Sequence, residues 1–369
     1  MGQIQSAVTS GRLHHAWIFH GPWGVGKFTA AVELAKLMLC HSPVTDLMGT
    51  PSPCDACESC RLFRPPSPEV EAAEDDASPG SGIAHPDFHV VTKELARYSD
   101  DAATRSRKLM NIPTEVLREA LLEPVYRLPQ LQHGKVFIVD EAELIDVRGQ
   151  NLLLKTLEEP PAGTHIILVT SSEDKLLTTI RSRCQRVAFA PLPDEVIQQW
   201  MDRNASEVSD ADRAWLTSFA GGSLGRVVLC RKYDLFRWWK AVLPGVDAAV
   251  TGRPPGDLGA TMANLIDELA KAWVDDHANA SKEAANRMAA GLMLAMIGQH
   301  ARMQMARVAT RVPTDDPDTA QAMLKPWLHV IESLNITETE LGSNVNLGLA
   351  MDHLVSMMAR PGVFHTSGA

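Results

Sequence analysis

No stretch of this 369-residue chain holds 18 consecutive apolar residues, so no membrane-spanning helix is expected. Met1 to Arg12 has no long apolar core, which leaves no visible secretory signal and makes the cytoplasm the expected location. Basic residues are in deficit, 35 Lys and Arg against 45 Asp and Glu, for a net charge of −10. A free-standing DNA-binding protein usually carries a basic excess or stripe, so any contact with DNA is expected through a larger assembly. Internal repeats are absent. Cysteine is sparse, six in all, and in a cytosolic chain these suggest thiols or metal before disulfides. What remains is ordinary: 45% hydrophobic residues and a length that suits two or three domains.

The stretch Trp17 to Ala31 organises the rest. Trp17-Ile18-Phe19 reads as a buried strand, Gly21, Gly24 and Gly26 follow, then Lys27 and a helical run from Ala30 to Cys40. Strand, glycine loop, lysine and helix are the parts of a phosphate cradle. The glycines let backbone N–H groups turn towards phosphate oxygens, Lys27 adds a charge, and the helix N-terminus adds its dipole. The pattern Gly-x4-Gly-Lys-Ser/Thr holds from Gly21 to Lys27 and fails at the next position. Phe28 stands where a hydroxyl would hold Mg²⁺, a cation that demands oxygen. Thr29 comes one residue late, about 100° round a helix from the needed direction. ATP or ADP could be held, Mg²⁺ coordination is doubtful, and efficient hydrolysis is not expected. A glycine turn kept for packing alone is the rival account.

Cys54, Cys57 and Cys60 are spaced three apart, with Cys40 fourteen residues upstream. Two residues between cysteines allow a tight turn to point both sulfurs at one ion, and four thiolates suit a structural Zn²⁺. A redox Cys-x-x-Cys pair is the alternative, which a third and fourth cysteine fit badly; free thiols that have lost a metal are another. Cys184 and Cys230 read as packed residues. Residues 64–82 are rich in Pro, Glu, Asp, Ser and Gly and read as a disordered insertion.

Further along, Lys135 to Val139 reads as a strand that ends in Asp140 and Glu141. In a phosphate-loop ATPase the first acid holds Mg²⁺ through water and the second polarises the attacking water. Asp100 to Lys108 reads as loop, and Ile112 to Leu122 as a helix with Pro113 in its first turn. Asn151 to Pro161 is an amphipathic helix stopped by proline, and His165 to Ser171 a buried strand ending in hydroxyls. Thr170 could sense a terminal phosphate or simply cap the strand. Arg181, Arg183 and Arg186 surround Ser182-Arg183-Cys184. An arginine at a subunit edge could reach a neighbour's phosphate, or the three could form a solvated basic face. Val187-Ala188-Phe189 reads as the last strand. Arg226 lies near the start of a helix following Gly221-Gly222. The remainder is dominated by helical spacing.

Taken together, these residues resemble the clamp-loader branch of the AAA+ ATPases over most of residues 11–230. The resemblance rests on Gly11 to Trp17 before the loop, the inserted cysteines, the Asp140-Glu141 box, Asn151 to Pro161 and Ser182-Arg183-Cys184. It implies an α/β fold: an AAA+ phosphate-loop domain with a parallel sheet over residues 1–190, carrying a zinc module at 40–60. A small helical lid over 191–240 and an all-α collar over 241–369 would follow. The implied site comprises Gly21, Gly24, Gly26, Lys27, Asp140, Thr170 and Arg226 for nucleotide and Cys40, Cys54, Cys57 and Cys60 for zinc. Glu141 would be a vestigial catalytic group, and Arg183 would act in trans on the neighbour's ATP site. The implied partners are delta and gamma/tau subunits in a five-subunit loader, with the sliding clamp and primed DNA met through the assembly and no membrane. The chain would be a bracing, non-hydrolysing subunit; an active gamma/tau-type ATPase is the alternative, and a zinc-bearing AAA+ module outside replication a weaker third. Family members usually carry more residues before the loop to help hold adenine, so Met1 is expected to be a late start or that contact to be absent. The 64–82 insertion departs from a minimal member.

Overall fold

The computed structural model describes residues 4, 7–8, 13–46, 49–63, 83–106, 110–131, 133–205, 208–277, 280–311, 317–343 and 345–359. The expected insertion at 64–82 and the Gly11-Arg12 pair lie outside these residues.

Five parallel strands form the central sheet: β1 (Ala16–His20), β4 (Phe88–Val91), β5 (Lys135–Val139), β6 (Thr164–Thr170) and β7 (Gln185–Ala188), in the order β4-β5-β6-β1-β7. β1 lies in register between β6 and β7, with Phe19 opposite Val169 on one side and Val187 on the other. The short apolar runs that mark these strands are continuous because both faces are covered. Successive side chains point to opposite faces, and β1 shows it directly. Ala16 and Ile18 join a cluster with Leu117, Leu121, Leu153 and Leu157. Trp17 and Phe19 join the opposite cluster with Ala31, Leu34, Ala35 and Leu39 of α1 (Lys27–Leu39). The result is a three-layer α/β/α domain.

Several local expectations change. A two-stranded antiparallel hairpin, β2 (Val44–Thr45) with β3 (Pro51–Ser52), sits between the first and second cysteines. Asp101 caps a one-turn helix, α3 (Ala102–Arg105), through its carboxylate and the Thr104 N–H, so Asp100 to Lys108 is not all loop. Ile112 to Leu122 is not one α-helix. Pro113 is the cap of α4 (Thr114–Leu117), rather than a residue of its first turn, and the chain continues as a π turn over Arg118–Leu122. The wider turn keeps both Leu117 and Leu121 fully buried.

Two compact units emerge, one of residues 1–193 with Gly222–Gly225 and Asp276–Asn279, the other holding the remaining helices. In the second, α8 (Asp210–Ala220) begins at the Ser209 hydroxyl, which accepts from the Asp212 N–H, and ends at Gly221 in left-handed backbone. Trp215 of α8 stacks on Phe219 at 5.1 Å and on Trp239 at 5.3 Å. Trp239 belongs to the helix Phe236–Val250, so this stacking ties that helix to α8. No described helix is long and apolar enough to cross a membrane.

Candidate nucleotide cradle and metal centre

A parallel sheet delivers the ends of β1, β5 and β6 to the same edge, where α/β proteins place their ligands. The glycine loop leaves β1 there. Gly21, Gly24 and Gly26 all have positive φ, 144°, 74° and 92°, which side chains rarely tolerate. Gly21 also lies against the Phe189 carbonyl, where a Cβ would collide with it. At Gly24 the carbonyl accepts from the Gly225 N–H at 3.0 Å, and the Trp23 ring lies where a Gly225 side chain would stand. Gly26 turns the chain into α1, whose first residue is Lys27.

Lys27 is 6% exposed. Its ammonium donates to the Gly21 carbonyl (2.8 Å), the Pro22 carbonyl (2.7 Å) and the Ser171 hydroxyl (3.2 Å). Burial lowers its pKa, and the charges of Glu143 and Asp140 act against that shift. Phe28 turns away and packs on the core cluster of Trp17 and Phe19, while Thr29 is exposed. Phe28 has no side-chain oxygen and Thr29 faces solvent, so the donor set at the start of α1 does not fit Mg²⁺.

Asp140 follows β5, and burial first, then the charge of Glu141, pushes its carboxyl up to about 6. Glu141 adopts left-handed backbone (φ 48°, ψ 44°) and its carboxylate accepts from Lys93 at 2.6 Å. Burial opposes the charge on Lys93, but Glu141 outweighs it and the lysine pKa rises. Thr170 is buried, and its hydroxyl accepts from the Ser172 N–H at 3.1 Å, as a strand cap would. The adjacent Ser171 is the one that meets Lys27. Arg226 lies in the second unit, half-buried, with its pKa lowered by burial and then by Arg302. The structure thus brings Gly21, Gly24, Gly26, Lys27 and Asp140 to one edge. Glu141 is turned to Lys93. Lys93, Glu143 and Ser171 carry no sequence pattern of their own; their only cue is a place just beyond a strand end.

Arg183 follows the short helix α6 (Thr178–Arg181). Its Nε donates to Glu158 at 2.6 Å and its Nη1 to the Thr179 carbonyl at 2.9 Å. Glu158 ends α5 (Val147–Glu158). From inside the same helix, buried Gln150 donates to the Ile145 and Lys175 carbonyls and accepts from the Leu177 N–H at 2.7 Å. That amide fixes the segment from which Arg183 projects.

In the cysteine module, the four sulfurs of Cys40, Cys54, Cys57 and Cys60 lie within 4.8 Å of one another, the one such metal-fitting group among the described residues. Two sulfur pairs, Cys40 with Cys57 and Cys54 with Cys60, stand 4.0 Å apart. A tetrahedral zinc with bonds of about 2.3 Å requires sulfurs about 3.8 Å apart. The N–H groups of Cys54, Cys57 and Cys60 each donate to the sulfur of the preceding cysteine, at 3.3, 3.3 and 3.4 Å. N–H donation to Cys54 brings its thiol down to about 6, while burial pushes Cys60 up to about 12. The donor set fits zinc, which would hold the hairpin and α2 (Glu58–Leu62) together. Lys36 of α1 reaches Asp55 at 2.5 Å, and Phe63 packs on Phe88 at 5.0 Å, so the module is tied to helix and sheet.

Sheet order, glycine loop, acidic strand end and cysteine insertion define an AAA+ phosphate-loop protein with a helical C-terminal region. The family described as "DNA polymerase III, delta subunit" matches residues 1–193, just over half of the chain, and the chain belongs to that family. DNA polymerase III subunit gamma/tau of Mycobacterium tuberculosis (strain H37Rv) is 32% identical over 276 residues, 73% of this chain and 40% of that protein. Subunit delta' of Bacillus subtilis is 30% identical over 198 residues, 54% of this chain and 49% of that protein. Subunit delta' of Escherichia coli is 26% identical over 338 residues, 90% of this chain and 86% of that protein. The chain therefore spans less than half the length of the gamma/tau relative and most of the length of the Escherichia coli delta' relative.

Proposed function

We propose that this chain is a delta-prime-type subunit of a DNA polymerase III clamp loader. It assists ATP-driven loading of the sliding clamp on primed DNA, together with delta and gamma/tau subunits in the cytoplasm. In this reading it is a stator with little or no hydrolysis of its own, and Arg183 completes the ATP site of a neighbouring gamma/tau subunit. The carrying observation is a contrast within one domain: Phe28 is seated in the core where a metal hydroxyl would be needed, while Arg183 is held at the surface by Glu158 and Thr179. A guanidinium delivered in trans stabilises charge on a transferring phosphoryl group and accelerates it by about 10³-fold or more. Coverage of nearly the whole Escherichia coli delta' chain supports the delta-prime reading over the gamma/tau one.

The alternative, an active gamma/tau-type ATPase, draws on Lys27, Asp140 and Glu141 and on the 32% identity to a gamma/tau chain. Steady-state ATPase of the purified chain, with Lys27→Ala as control, separates the two: the first requires negligible turnover. In a loader reconstituted with delta, gamma/tau and clamp, Arg183→Ala should depress clamp-dependent ATPase and loading. Full activity of that mutant loader would remove the finger role.

A further inference from the structure

The cradle has an occupant of its own. Asp140 and Glu141 are followed by a 3-10 turn over Ala142–Leu144, in which Ala142 is fully buried. The turn is fixed at both ends. Leu144 N–H donates to the Glu141 carbonyl at 2.8 Å, and the Leu144 carbonyl accepts from the Ile112 N–H at 3.1 Å. Glu143 projects from this turn to the end of β6, where its Oε1 accepts from the Ser171 N–H at 3.1 Å. Its Oε2 is buried and has no hydrogen-bond partner. On the other side of the same residue, the Ser171 hydroxyl accepts from Lys27 at 3.2 Å. Glu143 and Lys27 thus meet across one serine, and the Glu143 charge is the larger of the two carboxylate influences on the Lys27 ammonium.

A buried carboxylate oxygen without a partner is costly unless a nearby positive charge offsets it. Lys27 supplies that charge. Lys27 feels the charges of Glu143 and Asp140, and Lys93 those of Glu141, Glu94 and Asp140, so four carboxylates act on these two ammoniums. Lys93 is paired with Glu141. The Lys27 ammonium at the glycine loop is therefore already shared with an acid, and a strand-end N–H that a phosphate oxygen could use is taken.

We propose that Glu143 is an autoinhibitory carboxylate: it stands in for a phosphate oxygen at Ser171 and Lys27 and keeps nucleotide out of the chain's own cradle. The ligand it excludes is the polyphosphate of a nucleoside di- or triphosphate. The inference concerns the same cradle as the reading above but does not use Arg183 or the loader assignment, so either can fail alone. It also separates two barriers that look alike. Phe28 removes a metal ligand, whereas Glu143 adds a negative charge and occupies a donor, and only the second acts when no metal is supplied.

The test is a fluorescence titration of the full-length, zinc-loaded chain with mant-ADP, repeated by calorimetry with unlabelled ADP, each with and without Mg²⁺. Glu143→Gln keeps an oxygen able to accept from Ser171 and removes only the charge. Glu143→Ala removes both. Without Mg²⁺, affinity should rise by about tenfold for Glu143→Gln over the parent chain, and further for Glu143→Ala. Adding Lys27→Ala to either should erase the gain. If Glu143→Ala melts early, the isosteric Glu143→Gln carries the test. Affinity of both variants within twofold of the parent would overturn the proposal. Weaker binding by both would overturn it too, and would make Glu143 a contributor to ligand binding. Neither outcome bears on the Arg183→Ala loader assay.

Discussion

The cysteine module and the glycine loop are both ligand sites built from close-spaced residues, and they differ in what their donors already have. In the module the sulfurs of Cys40, Cys54, Cys57 and Cys60 face one another, and backbone N–H groups donate to three of them, those of Cys40, Cys54 and Cys57. In the cradle the donors are answered from within: Lys27 by Gly21, Pro22 and Ser171, Ser171 N–H by Glu143, Lys93 by Glu141. A complete donor set with no internal competitor gains much from its ligand. A donor set satisfied by its own chain gains little, because every new bond replaces an existing one.

The largest effect that could break this contrast lies in the module. The full-length chain should carry one zinc, and Cys57→Ser should lose it and destabilise the module by several kcal/mol, since metal binding there is folding energy. Elemental analysis and a thermal melt measure both. Cys57 also caps α2 by accepting from the Cys60 N–H, so hairpin and helix should loosen together, and through Phe63 and Phe88 the edge strand should follow. A parent chain without zinc would end the comparison.

The cradle should show the opposite sign. Asp140 titrates near 6, above the unfolded carboxyl value, because of its burial and its acidic neighbours. A raised acid contributes stability that is fully present below about pH 4 and lost as pH rises through about 6. Asp140→Asn should therefore stabilise the chain at pH 8, by about 1–3 kcal/mol, and flatten its stability profile between pH 4 and 7. Melting curves across that range decide it; a destabilised variant at pH 8 would mean that Asp140 is better satisfied than its burial implies.

Phe28→Thr sharpens the point in a third way. The ring packs half-buried beside Trp17 and Phe19, so its loss should cost about 1–2 kcal/mol. With Glu143 in place the new hydroxyl should give little Mg²⁺-dependent ADP affinity by itself. Strong Mg²⁺-dependent binding by this single variant would mean that Phe28 was the sole barrier.

These differences also explain what was legible in the sequence. Trp17 to Lys27 and the cysteine spacing are local patterns whose residues fold next to one another, and so are the apolar runs of β5 and β6. The hairpin of Val44–Thr45 with Pro51–Ser52 is too short to show a period. The break in Ile112–Leu122 is invisible because a π turn shifts the apolar spacing only slightly. Lys93 and Glu141 are 48 residues apart, and Glu143 and Ser171 28 apart. Such pairs exist only once the sheet has brought strand ends together. Phe28 shows a further limit: its identity announces a missing ligand, but only the packed structure reveals that the ring has a second role in the core.

The smallest effect separates the edge from the cradle. Arg183 and Glu158 are both a third or more exposed, with 35% and 46% of their side chains accessible. Pairs of this kind contribute little to stability, about 0–1 kcal/mol, so Arg183→Ala should leave the melting temperature of the isolated chain almost unchanged. That near-silence gives the loader assay its meaning. If the variant folds as the parent does yet its assembled loader is slow, the defect lies at the neighbour's phosphate. If Arg183→Ala instead melts well below the parent, the arginine is a structural strut for the helix end it shares with Glu158 and Thr179, and a slow loader would then say nothing about a finger.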